Sequence, residues 1–111
     1  MTKKSALQLI QAIVLTVTER AKDENHLLYG ASFFLSNMID ENYPCYRKFI
    51  RAGYHENDKL QEVLSNHDHK VTNSENGNVF EVKVASTLGS IAFRFHTGGN
   101  EDYSPFGVDM R

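Results

Sequence analysis

The chain has 111 residues, 41% apolar and 23% charged, with seven Phe and five Tyr. That is the make-up of one globular domain and excludes collagen-like, disulfide-scaffold and wholly disordered classes. Fourteen acidic against 12 basic side chains give a formal charge of −2, so binding to nucleic acid or an anionic membrane would have to come from a local patch rather than from a global field.

Met1-Thr2-Lys3-Lys4 precedes an apolar stretch from Ala6 to Val17. Gln8 and Gln11 interrupt it, and Thr16-Val17-Thr18-Glu19-Arg20 runs into charge without a small-x-small cleavage site. It is also too short to span a bilayer, so it reads as a folded helix and not as a signal or membrane segment. Leu7, Ile10, Val14, Val17 and Ala21 share one helical face, with Ala6, Leu9 and Ile13 beside them. So wide an apolar arc predicts a central helix covered on most sides, with Ser5 as its N-cap. The β-branched run over 13–18 would also suit a strand.

Asp23-Glu24-Asn25 can cap a second helix, in which Leu27, Leu28, Phe34, Leu35, Met38 and Ile39 recur at helical spacing. Its small residues Gly30, Ala31 and Ser32 mark a helix crossing point. Pro44 at a first helical position and Gly53 as a stop predict a short helix over about 44–52. Leu60, Val63 and Leu64 form the stripe of a fourth helix ending near Asn66.

From His67 the period changes to two. Phe80, Val82 and Val84 alternate with polar positions, as do Ile91, Phe93 and Phe95, so each segment is a strand with one apolar face. Hairpin loops at Asn76-Gly77 and Leu88-Gly89 predict a three-stranded antiparallel meander. The expected architecture is a single α+β domain over 1–111: about four N-terminal helices (1–66), one of them short, packed on one face of the meander (67–97). An acidic tail (98–111) follows, packing through Tyr103, Phe106 and Val108.

Two basic surfaces follow from this reading. The first is the short third helix, where Arg47 and Arg51 share a face, Lys48 lies between them, and Tyr46, Phe49 and Ile50 line the adjoining side. Cations interleaved with aromatics suit phosphate contact with base stacking, and equally an acidic protein surface. The second depends on strand register. The loops named above pair Lys70 with Lys83 and Lys83 with Arg94, a cationic row across the polar face of the sheet. Like charges directly opposite each other are unfavourable, so the row calls for a counter-charge. Glu101, Asp102 and Asp109 of the tail could fold back to supply it; otherwise the row is open to a partner.

His67-Asp68-His69 lies at the helix-to-strand junction and His96 ends the last strand. A lone H-x-H lacks the further ligands of a zinc signature, and no cofactor motif is present, so no metal or cofactor is assigned. The enzymatic arrangement available is an acid/base pair of His67 or His69 with His96, oriented by Glu81 opposite His96 in that register and with Lys83 or Arg94 holding the phosphate, which would make a small histidine-dependent nuclease. No nucleophile elbow, phosphate loop or dinucleotide fingerprint occurs.

The leading functional expectation is therefore non-enzymatic. It is a small protein-binding module of the inhibitor or immunity type, using its charged patches against a toxin or a nucleic-acid-processing enzyme. Direct nucleic-acid binding through the basic helix and sheet row is the alternative. Cys45 is the single cysteine and cannot close an intrachain disulfide, which points to a reducing, cytoplasmic setting with no membrane association.

Overall fold

The computed structural model describes residues 1–18, 20–38, 62 and 69–110. The expected helices over 44–52 and 57–66 fall outside them, except that Glu62 has helical backbone and is exposed.

Helix α1 spans Lys3–Thr18. Its N-cap is Thr2 rather than Ser5: the Thr2 hydroxyl accepts a hydrogen bond from the Ser5 N–H at 3.1 Å. The helix starts two residues before Ser5, which therefore sits inside the first turn and cannot cap it. Ala6, Leu9, Ile10, Ala12 and Ile13 are fully buried, and Gln11, Thr16 and Thr18 are buried with them, so α1 is covered on nearly every side. The β-branched run over 13–18 is helical. Thr16 is accommodated by donating its hydroxyl to the Ala12 carbonyl at 2.9 Å, which satisfies a group that would otherwise be stranded in the core.

Helix α2 spans Glu24–Met38 and is capped as expected, the Asp23 carboxylate accepting the His26 N–H at 2.9 Å. It crosses α1 at Gly30. A Cβ built there would lie 3.0 Å from Val17 Cγ1, so the missing side chain is what lets the helices approach. Among the described residues no helix is long and apolar enough to cross a membrane.

The sheet is antiparallel with order β1-β2-β3-β4, formed by Lys70–Asn76, Val79–Ser86, Gly89–Thr97 and Tyr103–Met110. It has four strands and not three. What read as an acidic tail is β4, which places Tyr103 in the core against Phe80, their rings edge-on at 5.6 Å. The sequence Gly98-Gly99 forms part of the preceding turn, and Pro105 is tolerated because β4 is an edge strand with a bulge beside it.

Both hairpins also turn one residue away from the expected position. The first loop is Gly77-Asn78, so Asn76 pairs with Val79 and Val71 with Val84. Gly77, at φ +61°, takes the first loop position that a type II′ turn reserves for glycine. The second loop is Thr87-Leu88, where the Ser86 hydroxyl accepts the Leu88 N–H at 3.1 Å and donates to the Gly89 carbonyl at 2.9 Å. Each change slides the pairing by two residues. An even slide leaves every side chain on its expected face and changes only its neighbours across the strand.

Phe80, Val82 and Val84 of β2 and Ile91, Phe93 and Phe95 of β3 thus form the inner face, buried in one cluster with Leu9, Ile10, Ile13, Val14 and Val17 of α1. Both helices lie beside β4. The radius of gyration, 12.9 Å, agrees with the about 13 Å of a single domain of this length.

Candidate interaction surface on the outer sheet face

The side of the sheet away from α1 and α2 carries its polar residues in rows set by the pairing. One row runs Thr72, Lys83, Ala92, Asp109; the next Ser74, Glu81, Arg94, Gly107; the third Asn76, Val79, His96, Ser104. The expected cationic row of Lys70, Lys83 and Arg94 does not form. Lys70 stands opposite Ala85, Lys83 between Thr72 and Ala92, and Arg94 between Glu81 and Gly107. The two-residue slides place unlike or neutral neighbours where the simple loops would have opposed like charges, which is the lower-energy arrangement.

Counter-charge does come from the C-terminal segment, but from within the sheet. Asp109 of β4 forms an ion pair with the Arg94 guanidinium. Gly107 makes this geometry available, since a Cβ there would sit 3.1 Å from Arg94 Nη2. Asp102 pairs instead with the Met1 ammonium, and Glu101 is exposed in the turn before β4. Tyr46, Arg47, Lys48 and Arg51, the basic-aromatic helix, lie outside the described residues.

The histidine arrangement is dispersed. His96 is exposed on the outer face opposite Val79, while Glu81 stands across from Arg94. His69 lies on the inner side, lining a cavity of about 10 Å³ with Val14, Val84 and Phe93. The two imidazoles are on opposite faces of the sheet and do not converge with Glu81 on a common point. Among the described residues, no three His, Cys, Asp or Glu side chains gather as a metal site.

The feature that sequence reasoning missed is Phe106. Expected to pack inward with Tyr103 and Val108, it is 54% exposed. The register steps between Arg94 and Phe95, where Arg94 pairs with Gly107 and Phe95 with Pro105, leaving Phe106 as the extra residue of a bulge. The bulge aims its ring outward. There it meets His96 edge-on at 6.4 Å between centroids, and the Arg94 guanidinium lies 5.9 Å from its centroid. Proline followed by glycine on either side of Phe106 was the signal in the sequence for this break in alternation.

Beside this aromatic-cationic group is a polar depression of about 390 Å³ lined by Ser74, Asn76, Val79, Glu81 and Arg94. Arg94 Nε is buried at its rim without a hydrogen-bond partner among the described residues. The surface therefore offers a protruding ring, guanidinium and imidazole donors, amide and hydroxyl groups, and carboxylates of opposite sign within one turn of strand. A second exposed aromatic pair, Tyr29 and Phe33, lies one turn apart on α2, with 76% and 50% of their surface exposed. No protein-family model, curated protein or solved structure matches this chain.

Proposed function

We propose that the protein acts by stoichiometric binding to another protein, as an inhibitor or immunity-type module, through the outer sheet face centred on Phe106. The observation that carries this reading is the exposed Phe106 ring, set out on a bulge with Arg94 and His96 against it. Aromatic and arginine side chains supply most of the energy at protein interfaces, and an apolar ring bordered by polar groups is their usual setting. The alternation of Glu81, Arg94 and Asp109 favours a protein surface over a nucleic acid, because it breaks the continuous cationic track that phosphate contacts need. A charged cleft on a toxin or a nucleic-acid-processing enzyme is the complementary partner class, met in the cytoplasm.

The test is affinity capture from nuclease-treated lysate with the wild-type chain and with Phe106→Ala and Arg94→Ala. A protein retained in stoichiometric amount by wild type, and about thirtyfold more weakly by either variant, is the expected result. Equal retention by the variants, or retention that disappears on nuclease treatment, would overturn the reading.

A further inference from the structure

The sequence holds a single asparagine followed by glycine, Asn76-Gly77, and the fold puts it where β1 passes into its hairpin loop. The side-chain carbonyl carbon of an asparagine and the backbone nitrogen of the next residue are tethered at ring-forming separation, which makes that nitrogen an intramolecular nucleophile. Two things normally hold the reaction back. One is a hydrogen bond that engages the nitrogen or the amide; the other is a side chain on the following residue that crowds the approach. Asn76-Gly77 has neither.

In the two-residue loop, Asn76 and Val79 form the closing hydrogen-bonded pair, and the Gly77 N–H lies outside it. Among the described residues, neither the Gly77 N–H nor the Asn76 side chain makes a hydrogen bond. A Cβ built on Gly77 would meet nothing within 4 Å, so the space around the nucleophile is open. Asn76 is exposed and lines the polar depression of the outer face. The other described asparagines each lack one of these conditions. After Asn25 the His26 N–H is held by Asp23, and Asn37 donates its own amide to the Phe33 carbonyl. Asn73 and Asn78 precede Ser74 and Val79, whose N–H groups belong to bonded pairs of the β1–β2 ladder. Asn100 precedes Glu101, which brings a side chain to the nitrogen. Asn42, Asn57 and Asn66 lie outside the described residues.

We infer that Asn76 is a site of spontaneous deamidation, which converts the β1–β2 hairpin into an acidic form without an enzyme. As the Gly77 nitrogen gives up its proton to hydroxide, its electron pair forms a bond to Asn76 Cγ. The Cγ–Nδ2 bond breaks and ammonia leaves, closing a succinimide ring. Water then adds to either ring carbonyl and the adjoining C–N bond breaks. Opening at Cγ gives an aspartate at position 76, and opening at the backbone carbonyl carbon gives an isoaspartate. Water is consumed, ammonia is released, and nothing is oxidised or reduced. Both products add a negative charge to a chain of formal charge −2, on the wall of a depression that already holds Glu81. Isoaspartate also inserts a methylene into the backbone where the pairing with Val79 sets the β1–β2 register. The inference rests on the hairpin alone and is independent of the function proposed above.

The test holds the full, folded chain at neutral and mildly alkaline pH, samples it over days, and resolves it by anion exchange with peptide mapping by mass spectrometry. The expected result is an acidic species that accumulates faster as pH rises, with its mass change at Asn76 and isoaspartate detected by an isoaspartyl-specific methyltransferase. Asn76→Gln keeps the amide but would need a larger ring, so the species should be absent. Gly77→Ala crowds the nitrogen and should slow its formation about tenfold or more. Because φ +61° is strained for alanine, Asn76→Gln decides if that variant fails to fold. A sample unfolded in urea, run alongside, shows that the assay detects the reaction. Asn76 that stays intact in the folded chain, whether or not it reacts in urea, would overturn the inference. So would an acidic species that persists in Asn76→Gln, forms as fast in a folded Gly77→Ala, or arises from another asparagine while Asn76 is unchanged.

Discussion

At Gly30 the absence of one carbon atom sets the distance between two helices. Glycine inside a helix costs about 1 kcal/mol against alanine, so its presence calls for a compensating contact. Here Val17 supplies it, with its Cγ1 3.0 Å from where a Cβ would stand. Alanine at this position gains helix propensity and loses packing in comparable amounts. Gly30→Leu has no such balance: it forces α2 away from α1 or Val17 off its rotamer, and should destabilise the protein by about 1–3 kcal/mol. A thermal melt of Gly30→Leu and Gly30→Ala beside wild type checks this, the alanine variant remaining within about 1 kcal/mol. The crossing was readable from Gly30-Ala31-Ser32 alone, because small side chains in a helix have few other uses. The cap of α1 was less readable, since Thr2 and Ser5 are both good caps and only the position of the first helical residue distinguishes them.

At the scale of the element, alternation fixes which face of a strand is buried, but not which residues stand opposite one another. Phe80, Val82, Val84, Ile91, Phe93 and Phe95 occupy the inner face that their spacing predicts. Phe93→Ala should therefore cost about 3–5 kcal/mol. Lys83→Ala, on the outer face between Thr72 and Ala92, should stay within about 0.5 kcal/mol. Urea unfolding of the two variants measures both, and a silent Phe93→Ala would reverse the faces. Register is another matter. It rests on whether a loop begins at Asn76 or at Gly77, and at Leu88 or at Thr87, and single-residue differences of this kind are decided by backbone torsions and by hydrogen bonds such as those of Ser86. The consequence for function is large. The charged row inferred from simple loops disappears, and Arg94 finds Glu81 across the strand and Asp109 as its ion pair instead. A candidate site assembled from cross-strand neighbours is thus only as sound as the loop assignment beneath it, whereas the composition of each face survives the error.

For the whole molecule, the decisive element is the last one. Gly98, Gly99 and Pro105, with acidic residues between them, have the composition of a loose tail, yet the segment 103–110 completes the sheet. It does so because Tyr103, Val108 and Met110 alternate inward on either side of the bulge, and Phe93 and Phe95 need a covering strand on that side. Two views of this segment give opposite expectations for a chain that stops after Asp102. A solvated tail would be lost without effect on melting. A core strand would take with it the β3–β4 ladder and the Tyr103 ring packed on Phe80, and leave the edge of β3 bare beside α2. Tyr103→Ala alone should cost about 3–5 kcal/mol, close to the whole stability of a marginal domain. The truncated chain should accordingly show no cooperative thermal transition and be cleaved rapidly by protease, while Phe106→Ala, in the same strand but facing out, should melt within a few degrees of wild type. That contrast separates the structural role of β4 from the binding role of its bulge. A partner lost with Phe106→Ala in a chain that still folds would then report on the surface, and one lost on truncation would report only on the fold.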